Sequence, residues 1–268
     1  MKPSGIITLT TDFGLSDPYV AMMKGVILSV NPRATVCDIT HLVRPGSIFQ
    51  AASVIHESYP FFPEGTVHVA VVDPGVGGER RPLVIQAAGQ FFVGPDNGLF
   101  TSIIQDCPDL KAYHLKESRF FLPRVTSTFH GRDIFAPVAA HLSLGVQPDR
   151  LGSPLQQPVT IPLPRPRERD GVLYGEIVHV DGFGNCITNI SGEVLEGFLG
   201  SATPLIEVGH LVIDRLSWTY SEAEEGQPLA LVNSSDRLEI AVNLGRASEY
   251  LGVARDEIIG SVVQVKRR

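Results

Sequence analysis

Ile6-Ile7-Thr8-Leu9-Thr10-Thr11-Asp12-Phe13-Gly14 is the stretch on which the fold turns. Its first five residues are a β-branched, apolar run of strand length that breaks at a carboxylate and a glycine, and a helical period over Val20–Val30 follows. Outward from it the same beat repeats, with Thr35–Ile39 as strand, Ile48–Ser58 as helix and Val67–Val72 as strand. Strands that alternate with helices specify an α/β sandwich with a central, mostly parallel sheet. Leu83–Ala87 and Phe91–Val93 then read as a hairpin, Gly94-Pro95-Asp96-Asn97-Gly98 as a turn, and a helix starts at Leu99. A last helix runs from Asp133 through Ala140 to Leu144, with Pro137 tolerated in its first turn.

Beyond Gly152 the periodicity lapses. Pro154, Pro158, Pro162, Pro164 and Pro166 fall within a few residues of one another, which marks a linker. The division expected is an N-terminal α/β domain over 1–152, a Pro-rich linker over 153–170 and a C-terminal domain over 171–268. In the last of these, short strands follow one another at Val172–Val180, Cys186–Asn189, Leu205–Val208, His210–Ile213, Ala230–Val232, Leu238–Val242 and Ile259–Val265. Helical pattern is nearly absent apart from a piece near Ala247–Gly252, so this domain is expected to be a small β-barrel.

Composition narrows the function classes. The formal net charge is −7 and no Lys/Arg cluster precedes the tail Lys266-Arg267-Arg268, so a phosphate-tracking nucleic-acid surface is not expected. That basic triplet is expected to be a solvated end. No apolar run approaches the roughly 20 residues of a membrane span, and no basic segment followed by a long apolar one marks a signal peptide. Cys37, Cys107 and Cys186 are scattered and match no ligand spacing, so they read as buried thiols of a reducing compartment, the cytoplasm, with neither metal nor disulfide implied.

Four segments carry groups capable of chemistry. Asp12 and Phe13, with Asp17 behind them, lie where a strand ends, and strand C-terminal ends are where open α/β sheets hold ligands. An Asp there can accept both hydroxyls of a ribose, or it can simply cap the next helix. Val71-Val72-Asp73-Pro74-Gly75-Val76-Gly77-Gly78-Glu79-Arg80-Arg81 releases an apolar strand into a glycine-dense turn that permits close backbone approach to a ligand, or that forms a solvated charge cluster. Thr126-Ser127-Thr128-Phe129-His130-Gly131-Arg132-Asp133 places a loop histidine before a helix start, where Asp133 can serve as N-cap. Asp181-Gly182-Phe183-Gly184-Asn185 and Asn233 to Asn243 combine an aromatic ring and amides suited to a purine edge with residues that any turn would use.

Taken in order, TTDFG, VVDPGVGGERR, STFHGRD, DGFGNCITNI and NSSDRLEIAVN resemble the S-adenosyl-L-methionine hydroxide adenosyltransferase family, relatives of the adenosyl-fluoride and adenosyl-chloride synthases. The resemblance runs from Ile6 to Val263. It implies hydrolysis of S-adenosyl-L-methionine (SAM), without a further cofactor, to adenosine and methionine. An Asp, Arg, His trio that handles water falls on Asp73, Arg80 and His130, with Arg81 as the neighbouring alternative to Arg80. The ribose-binding Asp falls on Asp12, beside Phe13, and Asp17 falls where methionine or ribose contacts begin. Asp181, Phe183, Asn185, Asn243 and Leu244 fall at or beside adenine-site positions, and Ser234 and Ser235 on the methionine side. The family resemblance further implies a homotrimer with sites between subunits.

Halide-forming relatives resemble one another in lacking the Asp and His pair, and they carry an extra loop where this chain passes from Arg81 through Leu83–Gln90 to Gly94. Both departures favour water as nucleophile. A halogenase relative, a non-catalytic SAM- or adenosine-binding module, and a metal-dependent hydrolase using Asp12, Asp73, His130 and Asp133 are the competing readings, the last without any clustered ligand spacing.

Overall fold

The computed structural model describes residues 1–253 and 257–268, which form two compact units, Met1–Leu163 and Pro164–Arg268. The first unit follows the alternation: β1 (Ile6–Thr11), α1 (Tyr19–Val30), β2 (Thr35–Thr40), α2 (Ile48–Ser58) and β3 (Val67–Val71). It continues through β4 (Pro82–Ala87), β5 (Gln90–Pro95), α3 (Thr101–Asp106), β6 (Lys111–Leu115), α4 (Ala136–Ser143) and β7 (Gly152–Leu155). These strands make one sheet in the order β2-β1-β3-β5-β4-β6-β7.

The sheet is mixed, not mostly parallel. β1 pairs in parallel with β2 and β3, and β3 with β5. From β5 outward, through β4 and β6 to β7, every pairing is antiparallel. The reversal comes from Ala88 and Gly89, both at positive φ, which close a two-residue hairpin where a parallel partner would need a crossover of a dozen residues.

Side-chain alternation along β3 builds two cores. Val67, Val69 and Val71 pack with Met23 and Ile27 of α1 and Val138, Ala139 and Leu142 of α4. Ala70 and Val72 face the other way, toward Ala51 and Ile55 of α2 and Ile103 of α3. Met23, Ile27 and Ile103 are almost fully excluded from water, and each such side chain contributes about 1.5–3 kcal/mol.

One polar row crosses the three central parallel strands. Thr8 of β1 pairs in register with His68 of β3, and its Oγ1 lies 2.8 Å from His68 Nδ1. The other ring nitrogen meets Gln90 Oε1, while Gln90 Nε2 donates to the Phe62 carbonyl at 2.8 Å. Because Gln90 Oε1 can only accept, the ring proton sits on Nε2 and Nδ1 accepts from Thr8. The neutral ring is saturated, and burial pushes the His68 pKa down to about 4. The unfolded chain therefore binds a proton that the fold refuses between about pH 6.5 and 4, so stability falls as pH drops through that window and is intact above it. We expect the first unit to lose about 2 kcal/mol between pH 7 and 5 through this residue. Urea titrations of wild type and His68→Gln at both pH values check it, and an equal loss in the variant would exclude His68 as the source.

The Pro-rich segment is strapped down as far as the unit boundary. Its start is β7, paired with β6. Val159 N donates to Asp96 Oδ1 at 2.7 Å and Ile161 N to Thr101 Oγ1 at 3.0 Å. Prolines without periodicity thus mark extended chain whose few N–H groups find side-chain acceptors on the first unit.

The second unit holds β8 (Arg167–Arg169), β9 (Val172–Val180), β10 (Cys186–Ser191), α5 (Gly192–Leu199), β11 (Pro204–Val208), β12 (Leu211–Ile213), β13 (Pro228–Val232), β14 (Arg237–Val242), α6 (Ala247–Tyr250) and β15 (Val262–Arg267). The antiparallel order is β12-β11-β15-β9-β10-β14-β13, with β8 on β9. The end strands β12 and β13 approach each other, so the sheet nearly closes around Ile177, Ile190, Leu238 and Val263.

Two expectations fail here. The stretch after β10 is the helix α5, where Ser191 accepts from Val194 N at 3.2 Å as N-cap and Leu195, Phe198 and Leu199 are buried; two helical turns are too short for periodicity to stand out among strands. The basic tail is no free end, because it continues β15 between β11 and β9. Lys266 pairs with Glu207 at 2.6 Å and Arg267 Nε donates to the Phe198 carbonyl at 2.6 Å. Of the thiols, only Cys186 is buried and the other two are half-buried. Among the described residues no helix is long and apolar enough to cross a membrane.

Candidate active site

β1 and β3 are neighbours in parallel, with Thr11 beside Val71, so Asp12 and Asp73 leave the same edge of the sheet just past the two strand ends. Neither Asp12 nor Asp17 caps α1, whose N-cap is Pro18 without a side-chain bond. Asp12 Oδ2 instead accepts from Gly46 N at 2.8 Å, which fixes one carboxylate oxygen of a residue that lines the cleft. Asp17 is exposed, accepts from Ser16 at 3.3 Å and does not line the cleft.

Asp73, Arg80 and His130 come together. Arg80 Nε donates to Asp73 Oδ1 at 3.0 Å and Oδ2 at 2.9 Å, and its Nη2 reaches Oδ2 as well. The same Nη2 lies 2.6 Å from His130 Nδ1. Only 4% of the Asp73 side chain and 9% of the Arg80 side chain are exposed, so this fork is largely out of water, where its charge-assisted bonds are strongest. A guanidinium has donors only, so His130 Nδ1 must accept, and the neutral ring carries its proton on Nε2. Burial and the Arg80 charge push the His130 pKa below the ordinary range, against the opposing pull of Asp73, Asp133 and the Thr126 backbone. Arg80 Nη1 is buried without a hydrogen-bond partner among the described residues.

Arg81, adjacent in sequence, turns elsewhere. Its Nε donates to Asp96 Oδ2 at 2.7 Å, and Asp96 is the residue that holds the strapped segment through Val159. Successive side chains of an extended segment diverge, and this assigns Arg80 to the trio and Arg81 to the scaffold.

The cleft beside the trio measures about 140 Å³ and is lined by Asp12, Phe13, Gly46, Asp73, Phe129 and His130 among others. Phe13, Tyr19 and Phe129 form an edge-to-face cluster, with centroids 5.4–6.0 Å apart, that stiffens its wall. The glycine-rich turn has one position of special consequence. Gly77 sits at φ +76°, where a side chain would run into the Ser127 carbonyl, so the loop carrying Asp73 and Arg80 lies directly against the loop carrying His130.

In the second unit, Asp181 organises its own turn, its Oδ1 accepting from Phe183 N and Asn185 N at 2.9 Å each. Arg246 Nη1 donates to the Gly182 carbonyl at 3.3 Å, which brings this turn beside Asn243 and Leu244. Phe183 and Leu244 are 79% and 83% exposed, large apolar side chains left open at one end of the barrel. Asn243 Nδ2 is taken by the Ala223 carbonyl at 2.8 Å. Ser234 and Ser235 lie in the turn between β13 and β14, at the opposite end of β14 from Leu244.

Nothing in the sequence singles out Gly46 or assigns Thr126 a role, and there Asp133 reads as a helix cap or a metal ligand. Asp133 is not an N-cap: it lies inside a π-helical turn, Gly131–Phe135, and its carboxylate accepts from Thr126 and Arg132. Gly46 contributes only a backbone N–H, which leaves no signature in side-chain chemistry.

Residues 7–152 match the model of the SAM hydroxide adenosyltransferase N-terminal domain, and residues 175–259 that of its C-terminal domain. A protein of Thermus thermophilus named (R)-S-adenosyl-L-methionine hydrolase is 40% identical over 266 residues, covering 94% of this chain and 96% of its own. A fluorinase of Actinoplanes sp. is 29% identical over 271 residues, covering 89% and 91%. The crystal structure of an uncharacterized conserved protein from Thermotoga maritima superposes with a TM-score of 0.90 at 34% identity, over 97% of this chain and 100% of that one. With both halves matched in order and Asp73, Arg80 and His130 assembled at the strand ends, this chain belongs to the SAM hydroxide adenosyltransferase family.

Proposed function

We propose that the chain hydrolyses S-adenosyl-L-methionine to adenosine and L-methionine, with water attacking the ribose C5′ and Asp73, Arg80 and His130 presenting that water. The observation that carries the reading is the shared Arg80 Nη2, which touches Asp73 and His130 at once and so sets three polar groups around one point on the cleft wall. The relatives named as hydrolases at 37–40% identity support the substrate and the reaction. The (R) in their names supports the (R) epimer at sulfur as the form taken here.

The sulfonium makes methionine a good leaving group, so the difficulty lies with the nucleophile. Water is a weak one, its pKa about 15.7. The Asp73 carboxylate, oriented by Arg80, accepts a hydrogen bond from the water and aligns an oxygen lone pair with C5′. As the C5′–O bond forms, the C5′–S bond breaks, its electron pair goes to sulfur and neutral methionine departs. The water's surplus proton passes to Asp73 and on to solvent. His130, neutral and fixed at Nδ1 by Arg80, holds the guanidinium in place. Asp12 receives the ribose hydroxyls.

A metal-dependent hydrolase fits less well, because the Asp73 oxygens that would bind an ion already bind a guanidinium. The exposed Phe183 and Leu244, with Asp181, Asn185, Asn243, Ser234 and Ser235, supply the adenine and methionine contacts in a homotrimer, the assembly that the family resemblance implies. Purified protein incubated with the separated epimers, with and without chloride, tests the reading by chromatography. Adenosine from the (R) epimer, unaffected by chloride, from a particle of three chains by light scattering is expected. Bound SAM without product would reduce the protein to a binding module, and 5′-chloroadenosine would make it a halogenase.

A further inference from the structure

Asp133 takes no part in the chemistry above, yet it is 0% exposed, and a carboxylate is seldom buried without partners that require it. Its Oδ2 accepts from Thr126 N at 2.8 Å and from Thr126 Oγ1 at 2.6 Å. Its Oδ1 accepts from Arg132 Nε at 2.6 Å, and its carbonyl from Leu122 N at 2.9 Å. Burial pushes the Asp133 pKa up, but the bonds from Arg132 and Thr126 outweigh it and hold the group below the usual carboxylate range. The Arg132 guanidinium in turn lies 5.0 Å from the centre of the Phe129 ring, on the cleft wall.

The loop ahead of His130 needs such an anchor. Pro123, Arg124, Val125, Ser127 and Thr128 are exposed and no helix or strand contains them, so the one residue between them that Asp133 grips sets where the loop runs. The Thr126 backbone lies near enough to the His130 ring to raise its proton affinity, and Asp133 N donates to the Phe129 carbonyl, next to His130, at 3.0 Å. Asp133 therefore ties the loop before His130 to the turn after it, and the ring held between them meets Arg80 and, through it, Asp73. The five-residue π turn that carries Asp133 is itself a rare geometry that concentrates at functional positions.

We propose that Asp133 is a positioning residue for the hydrolysis: anchored on Arg132, it fixes Thr126 and through Thr126 holds the His130 ring against Arg80. The proposal rests on the role given to His130 above. Its test is a double-mutant cycle on full-length protein, with kcat and KM read from adenosine release and folding from circular dichroism. Asp133→Ala lowers kcat by about 10- to 100-fold, the scale of a slight misplacement of reacting groups, with little change in KM. Asp133→Ala combined with His130→Ala turns over no more slowly than His130→Ala alone, because both changes remove the same alignment. Thr126→Val, which keeps the backbone donor and loses the hydroxyl, shows a smaller loss of the same kind and carries the cycle if Asp133→Ala does not fold. Losses that multiply in the double variant, or that fall on KM, would overturn the proposal while leaving His130 in place. Wild-type turnover by His130→Ala would instead remove the reading on which it rests.

Discussion

Asp73→Asn lowers kcat by about two to four orders of magnitude, the range expected when a positioned proton acceptor is lost. The amide is close to isosteric and still offers one oxygen to Arg80, so the buried guanidinium keeps a partner. KM for SAM stays within a few-fold, since binding of the adenosyl and methionine groups falls, in the proposed function, to Asp12 and the second-unit residues. Arg80→Ala is expected to cost more in stability, because it strands a carboxylate whose side chain is 4% exposed, and breaking such a pair typically costs about 3–5 kcal/mol. Arg80→Lys keeps the charge without the fork that reaches Asp73 and His130 together, and turnover stays low. Adenosine release by Asp73→Asn within tenfold of wild type, on folded protein, would remove Asp73 from the reaction.

Gly77→Ala carries the second large effect, and it separates two glycines that lie two residues apart. At Gly77 the backbone has φ +76° and an added Cβ would collide with the Ser127 carbonyl, a backbone atom that cannot swing aside. Placing a non-glycine residue at positive φ costs about 1–2 kcal/mol by itself, and the collision forces the two loops apart. We expect a melting temperature lower by about 5–10 °C and at least a tenfold loss of kcat as His130 parts from Arg80. At Gly75 the nearest atom to an added Cβ is Arg80 Cγ at 3.5 Å, an ordinary contact. Gly75→Ala therefore changes the melting temperature much less than Gly77→Ala. Thermal melts and adenosine assays on both variants decide the matter, and equal behaviour of the two would show that loop contact is not what Gly77 provides.

What consecutive residues decide, the sequence alone determined: β1 and α1, the apolar β3 run, the hairpin before Gly94, the barrel strands, and the carboxylates of Asp12 and Asp73 at strand ends. Strand and helix periods repeat every two or 3.6 residues, and a strand end or turn announces itself in its own side chains. Its motifs likewise named the trio through family resemblance.

Only the tertiary structure decided what depends on residues far apart. Arg80 and Arg81 are indistinguishable as neighbours, and they part because one meets His130, 50 positions on, and the other Asp96. Gly77 reads as room for a ligand and proves to be room for Ser127. Asp133 reads as a helix cap and proves to grip Thr126 across a π turn. The antiparallel addition of β6 and β7 beyond the hairpin, and the helix α5 hidden between strands, are settled by packing between segments, which no local pattern encodes.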